Sequence, residues 1–142
     1  MTAEPWTLES ANAALPEVRR LLAEARRIAS TLRDAQAQLN DLRTIHGDQV
    51  LSPAGAGHQE FAQHLQQWQD ARAALDVVVA SFGELGAELK DIELGLVDFR
   101  GHVGNRVAYL CWKDGEREIT QWHELDSGFT GRKAIPGVGV GR

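Results

Sequence analysis

Apolar side chains recur every seven residues along the first third of the chain, a spacing that places them on one face of an α-helix. Three such columns lie between Leu15 and Leu42, with polar residues at the positions between them. A helix with so broad an apolar stripe buries it against another element. Thr7 is a typical N-cap and predicts the start of a helix. Pro16 either bends this helix or opens a second one at its first position, and we favour the second interpretation.

A second set of sevenfold apolar columns predicts another long helix, from about His58 to Leu94. Glycines and a proline in the interval 46–57 indicate a flexible loop between the two helices. Because the two apolar stripes match, the helices are predicted to pack antiparallel as a hairpin with coiled-coil geometry. Gly83 and Gly86 each cost about 1 kcal/mol relative to alanine inside a helix, so they indicate a bend or a close backbone approach.

After Gly95 the spacing of apolar positions changes from seven to two, which is typical of β-strands. Short runs rich in aromatic and β-branched residues, separated by turns that contain glycine, predict three antiparallel strands. These runs are Leu96–Arg100, Val107–Trp112 and Glu118–His123.

The pair Asp114-Gly115 is typical of a two-residue type I′ hairpin turn. Such a turn sets the register of the last two predicted strands and places Leu110 opposite Ile119. A slip of one residue would exchange the two faces of the sheet.

Together these elements predict an α+β fold that is mostly α: a long antiparallel helical hairpin followed by a small three-stranded antiparallel β-sheet. A chain of 142 residues is long enough for one domain with its own core. We expect a single domain, with the hairpin over residues 7–94, the sheet over 95–132 and a flexible, glycine-rich tail over 133–142.

Charge and cysteine content exclude several classes of protein. The formal net charge is -5 and the basic residues alternate with acidic ones, which argues against a nucleic-acid partner. No apolar run approaches the roughly 20 residues that a membrane span needs. The one cysteine, Cys111, cannot form an internal disulfide, and no secretory signal opens the chain, so a cytoplasmic location is expected. Its apolar neighbours raise the pKa of the thiol and leave it inert.

Acidic and imidazole side chains gather after the last predicted strand. His123, Glu124 and Asp126 lie within four positions and supply the ligand types of a divalent metal site. Asp98 and Glu116 could join them from neighbouring strands or turns. The spacing matches no established ligand motif, so the alternative is that His123 bonds to the backbone while the carboxylates satisfy free amides of the next turn.

A second candidate site is the glycine-flanked aromatic next to a guanidinium, Phe129 and Arg132. Arg132 is the type of side chain that forms a fork for a carboxylate or a phosphate. The alternative is an anchor, in which Phe129 fills the core and Arg132 pairs with Glu124 or Asp126 inside the protein. Trp112, Trp122 and Tyr109 complete the predicted ligand-binding set.

Two segments carry a family resemblance. They are the run YLCWKDGEREITQWHELDSGFTGR at 109–132, which follows the motif GLVDF at 95–99, and the opening WTLESAN with Leu15-Pro16. They resemble the uncharacterised prokaryotic family catalogued as domain of unknown function 2203, so a bacterial source is expected. The resemblance covers both ends of the chain around a variable helical middle. It implies helices followed by a small strand unit, and it implies no activity.

Three hypotheses about function stay open, and the sequence does not decide whether the protein is an enzyme. The first is a non-enzymatic module, homodimeric through its helices, whose strand unit binds a protein partner or a small anionic ligand. The second is a small metal-dependent hydrolase or lyase, in which the segment WHELDSGFTGR holds the metal and Asp98 or Glu116 is the base. The third is a filament or division-associated coiled coil.

Overall fold

The computed structural model describes residues 5–137 of the chain, which divides into two compact units. Within the described residues, one unit comprises 5–23 with 79–137, and the other comprises Glu24–Val78. Helix α1 spans Leu8–His46 and helix α2 spans His58–Leu85, so both helices contribute residues to each unit. The expectation of a single domain stays a prediction.

Helix α1 begins where the sequence predicts. The backbone N–H of Ser10 donates to Thr7 Oγ1 at 3.0 Å, and the Thr7 N–H donates in return to Ser10 Oγ at 2.9 Å. These reciprocal bonds satisfy amides that have no partner within the helix. Pro16 lies inside α1, so no second helix begins there. Leu15 and Val18 beside it are almost fully buried, and their burial offsets the missing hydrogen bond.

Within Glu24–Val78 the two helices form the predicted antiparallel hairpin. Its core includes Leu39 and Leu42 of α1 and Ala71 of α2. The predicted loop between the helices contains a short 3-10 helix, Gly47–Leu51. This turn buries Val50, whose carbonyl accepts a hydrogen bond from the His58 imidazole at 2.7 Å.

Helix α2 ends at Leu85, earlier than the predicted Leu94. Gly86 follows it with a φ of 92°, a left-handed conformation that residues with a side chain rarely adopt. The N–H of Ala87 donates to the carbonyl of Phe82 at 3.0 Å, which is the bond that defines a Schellman cap. Gly86 therefore ends the helix, and Leu89 after it belongs to a strand.

Five antiparallel strands make one sheet in the described part of the chain, in the order β1-β2-β3-β4-β5. They are β1 Glu88–Asp91, β2 Leu96–Val103, β3 Arg106–Lys113, β4 Gln121–His123 and β5 Lys133–Ala134. The three predicted strands correspond to β2, β3 and β4. The two edge strands replace the end of the predicted second helix and the start of the predicted tail. Residues 138–142 of that tail lie outside the described residues.

The turn after β3 is present, but it is not of type I′. The Glu116 N–H donates to the Lys113 carbonyl at 3.0 Å, which closes a turn around Asp114 and Gly115. Gly115 has a φ of 101°, whereas Asp114 does not have a positive φ. A type I′ turn needs positive φ at both positions. The chain therefore does not turn straight back into the next strand.

The predicted register between β3 and β4 is wrong by three positions. Leu110 pairs with Trp122 instead of Ile119. Ile119 is fully buried, and its backbone N–H donates to Asn12 Oδ1 at 2.7 Å. Because residue 119 bonds to α1, the segment before β4 leaves the ladder and β4 is short.

In the first unit, the two faces of the sheet differ in polarity. One face is apolar and packs against the start of the chain, where Phe99 meets the Trp6 ring edge-on at 5.1 Å and Arg19 lies over the Trp112 ring. Asp98 pairs with Cys111 across β2 and β3, so these two side chains lie on the opposite face. That second face carries the polar groups of the candidate site.

Among the described residues, no helix has an apolar stretch long enough to cross a bilayer. The cytoplasmic location, the coiled-coil geometry and the homodimer through the helices stay predictions.

Replacing Gly86 by alanine is expected to lower the free energy of unfolding by about 1–2 kcal/mol, because alanine is strained at positive φ. The added Cβ would also lie 3.4 Å from the Trp6 indole, whose Nε1 donates to the Gly86 carbonyl at 2.8 Å. Urea denaturation of the wild type and the variant measures this difference.

Gly83 is the matched control, since it lies in α2 and a Cβ added there meets no other atom within 4 Å. The Gly83→Ala substitution should raise the free energy of unfolding by up to about 1 kcal/mol. Equal effects of the two substitutions would contradict the assignment of Gly86 as the helix cap.

Candidate functional site

A cavity of about 230 Å³ lies on the polar face of the sheet. Strands β2, β3 and β4 supply its floor through Asp98, Cys111 and His123, which are all buried. The segment after β4 supplies part of its wall through Leu125 and Phe129. The cavity is therefore formed within one compact unit.

His123 and Asp98 form a buried pair at the floor of this cavity. The distance between His123 Nε2 and Asp98 Oδ2 is 2.8 Å, and each side chain is less than 5% exposed. His123 Nδ1 lies 2.9 Å from the carbonyl oxygen of Glu124, which can only accept, so Nδ1 carries a proton. One further proton must lie between Nε2 and Oδ2 to complete the second hydrogen bond.

Two buried polar atoms lack a hydrogen-bond partner among residues 5–137: Asp98 Oδ1 and Arg132 Nε. Leaving a buried polar group unsatisfied costs about 1–3 kcal/mol, and more for a charged group. Both residues also act electrostatically on Cys111, which lies on the same face of the sheet. The unsatisfied atoms therefore belong to one cluster around the thiol.

Burial raises the pKa of the Cys111 thiol to about 12, and the negative charge of Asp98 adds to this effect. The guanidinium of Arg132 opposes the shift but does not cancel it. A thiol with so high a pKa is protonated at neutral pH and is a poor nucleophile, which agrees with the prediction from its apolar neighbours.

Arg132 is bound inside the protein. One terminal nitrogen, Nη2, lies 2.6 Å and 2.9 Å from the two carboxylate oxygens of Glu116, and it also donates to the Cys111 carbonyl at 3.1 Å. The guanidinium lies over the Phe129 ring, 4.9 Å from its centre. The ion pair agrees with the anchor interpretation for Arg132, although its partner is Glu116 and not Glu124 or Asp126. Phe129 is half-buried and lines the cavity instead of filling the core.

The structure does not bring the other predicted site residues together. Glu124 forms an ion pair with Arg106, and Asp126 is exposed. Trp112 is fully buried, with its indole N–H bound to the Glu116 carbonyl at 3.0 Å. Trp122 is buried on the apolar face, so of the predicted ligand-binding residues only Tyr109 lines the cavity.

In the described part of the chain, one set of at least three side chains is close enough to hold a metal ion: Asp98, Cys111 and His123. Their ligand atoms lie within 4.8 Å of one another. This set shares only His123 with the predicted trio of His123, Glu124 and Asp126. The signal in the sequence was the charge of Asp98 inside the apolar run Leu96–Phe99, which marks a buried carboxylate in need of a partner.

A wider groove of about 550 Å³ lies in the second unit, between the helices of Glu24–Val78. Half of its lining side chains, including Thr31, Asp34 and Gln67, are polar and exposed. It brings together no metal-binding set among the described residues. The smaller cavity is the better candidate because its polar groups are buried and partly unsatisfied.

The family model described as uncharacterized conserved protein (DUF2203) matches residues 5–135. The chain belongs to this family. The match confirms the resemblance found at both ends of the sequence, and it includes every residue of the cavity. No curated protein and no solved structure matches the chain. The family's description assigns no activity, so the function must be argued from the geometry.

Cys111 is expected to react with iodoacetamide only slowly in the folded protein at about pH 8.5, where an exposed cysteine is half ionised. In denaturant the same thiol should be modified at the rate of a free cysteine. Because the chain contains a single cysteine, mass spectrometry reports this site alone. Equal rates in the folded and denatured protein would contradict the buried, protonated thiol.

Proposed function

We propose that this protein binds a divalent transition-metal ion of the zinc class through Asp98, Cys111 and His123. The observation that carries the proposal is the convergence of these three side chains around a buried carboxylate oxygen, Asp98 Oδ1, that has no partner. Carboxylate oxygen, thiolate sulfur and imidazole nitrogen are all accepted ligands of Zn²⁺.

The distances between the ligand atoms are compatible with such an ion. Zinc bonds of about 2.0–2.3 Å place tetrahedral ligand atoms roughly 3.3–3.8 Å apart. His123 Nε2 and Asp98 Oδ2 are 2.8 Å apart, and all three ligand atoms lie within 4.8 Å. Side-chain movements of about 1 Å or less would bring the three ligand atoms to these distances.

The surroundings of the three ligands also support a metal. The bond from His123 Nδ1 to the Glu124 carbonyl fixes the ring so that Nε2 faces Asp98. A hydrogen bond of this kind orients nearly every metal-binding histidine. Arg132 brings a positive charge next to Cys111, which favours the thiolate that a metal requires.

The proposed ion would have three protein ligands, and all three line the cavity. A zinc site with three protein ligands keeps a position for a small molecule. This arrangement supports a small-ligand binding protein and keeps the metal-dependent hydrolase or lyase as the alternative. In either case His123 is kept as a proposed metal ligand. Asp98 and Cys111 take the place of the predicted ligands Glu124 and Asp126.

Purified protein loaded with zinc and then dialysed is expected to retain about one ion per chain, measured by elemental analysis. The Asp98→Asn and Cys111→Ser variants should lose it. Glu124→Gln and Asp126→Asn are the matched controls, since these acids adjoin His123 in sequence but lie outside the cluster, and they should keep the ion. Cobalt loading gives a second measurement, because a thiolate ligand adds a charge-transfer band.

Circular dichroism of each variant separates metal loss from unfolding. Metal loss in variants that stay folded supports the proposal. Full retention of zinc by folded Asp98→Asn and Cys111→Ser would overturn it, and so would a wild-type protein that retains no ion. In that event the Asp98–His123 pair has a structural role only.

Arg132 is expected to act on the metal through Cys111. The Arg132→Gln substitution should weaken zinc binding by about 10- to 100-fold, the usual cost of losing a group that supports a metal ligand. Competition with a chromophoric chelator measures this change. Arg106→Gln is the control, because Arg106 pairs with Glu124 at the surface and should leave the affinity unchanged. An unchanged affinity in Arg132→Gln would show that Arg132 is an anchor only.

A further inference from the structure

We infer that the cavity above Asp98, Cys111 and His123 binds a small carboxylate with a short apolar body, whose carboxylate occupies the open position of the metal. This inference rests on the proposed function, since it requires the metal. It adds the chemical class of the ligand, which the cavity's size, walls and rim charges indicate.

The size of the cavity limits the ligand to a small molecule. Its volume of about 230 Å³ lies below the range of roughly 300–1,000 Å³ that is usual for drug-sized ligands. Part of this volume would be taken by the metal and its ligand atoms. A carboxylate with a body of a few carbon atoms fits the remainder.

The walls of the cavity are apolar. Leu96, Leu125 and Phe129 line it, and Leu125 is 41% exposed although it is a large apolar side chain. Exposed apolar area at the mouth of a pocket is covered when a ligand with its own apolar surface binds. The body of the ligand is therefore expected to be a hydrocarbon chain or ring.

The charges at the rim favour an anion. Lys90 lines the cavity, and its ammonium group lies 4.9 Å above the Tyr109 ring. Glu88 is 2.9 Å from Lys90 and raises its pKa, so Lys90 is charged at neutral pH. Arg100 also acts on Glu88, so the carboxylate beside Lys90 interacts with a second cation behind the lining residues.

A carboxylate suits these groups better than a phosphate does. Phosphate sites are typically built from several backbone N–H groups at a helix N-terminus or in a glycine-rich loop. The cavity has strands as its floor and a single lysine among its lining side chains. A ligand with one negative charge, placed between the metal and Lys90, matches these two positive groups.

Cobalt-loaded protein tests the inference through its visible spectrum. Acetate, butyrate and phenylacetate are expected to change the cobalt bands saturably, because each replaces water on the metal. Butyrate should bind roughly fifteenfold more tightly than acetate, since it has two more methylenes and each buried methylene contributes about fourfold. Butyramide has the same body without the charge and should cause no change, and inorganic phosphate should cause none.

Matched variants test the two halves of the ligand separately. Lys90→Gln should weaken butyrate binding several-fold without changing the cobalt spectrum of the unliganded protein. Lys133→Gln is its control, because Lys133 lies over the Trp122 ring on the other face of the sheet and should leave butyrate binding unchanged. Leu125→Ala should reduce the advantage of butyrate over acetate, because it removes apolar wall from the mouth of the cavity.

The outcomes separate this inference from the proposed function. A protein without a thiolate-to-cobalt band contradicts the metal site itself. A protein that shows the band but responds to no carboxylate overturns the ligand class alone. Equal binding of butyramide or of phosphate overturns it as well, because either result removes the role of a single negative charge.

Discussion

The buried contact between Asp98 and His123 constrains the whole sheet. A carboxylate on a buried strand position is costly unless a hydrogen-bonded partner reaches it, and His123 comes from a strand 25 positions later in the chain. The imidazole reaches Asp98 only if β4 pairs with β3 so that His123 lies opposite Tyr109. This register in turn forces the residues between Lys113 and Gln121 to leave the ladder.

The segment between β3 and β4, which leaves the ladder, is held by contacts that also form the cavity. Ile119 is buried against α1, while Glu116 binds Arg132 from the segment that follows β4. Arg132 donates to the Cys111 carbonyl and lies over Phe129, one of the cavity walls. The Glu116–Arg132 ion pair therefore holds both the loop before β4 and the segment after β4 that covers the polar face. The register of the sheet and the shape of the cavity are coupled in this way.

Local signals predicted the elements well and their ends poorly. The N-cap at Thr7, the pairing of two long helices and the three inner strands followed from spacing and cap chemistry. The end of α2 required the backbone conformation of Gly86, which the identity of a glycine does not reveal. The register after β3 was set by the burial of Ile119, a distant contact that overrides the preference of an Asp-Gly pair. The candidate site was predicted only in part for the same reason. His123 and Asp98 were named as candidates, but Cys111 was not, because the ladder brings these residues together from separate strands.

Charge balance explains how one buried site could exist with and without a metal. Without the ion, the Asp98–His123 pair shares one proton and the Cys111 thiol keeps its own, so the cluster is neutral. In the proposed metal-bound state, a carboxylate and a thiolate balance a divalent cation around a neutral imidazole, and the cluster is again neutral. Because burying net charge is what makes such clusters costly, exchanging two protons for one divalent ion avoids that penalty. A monovalent ion would leave the site with a net negative charge. Charge balance therefore favours a divalent ion, and the geometry of the ligands then decides which divalent metal binds.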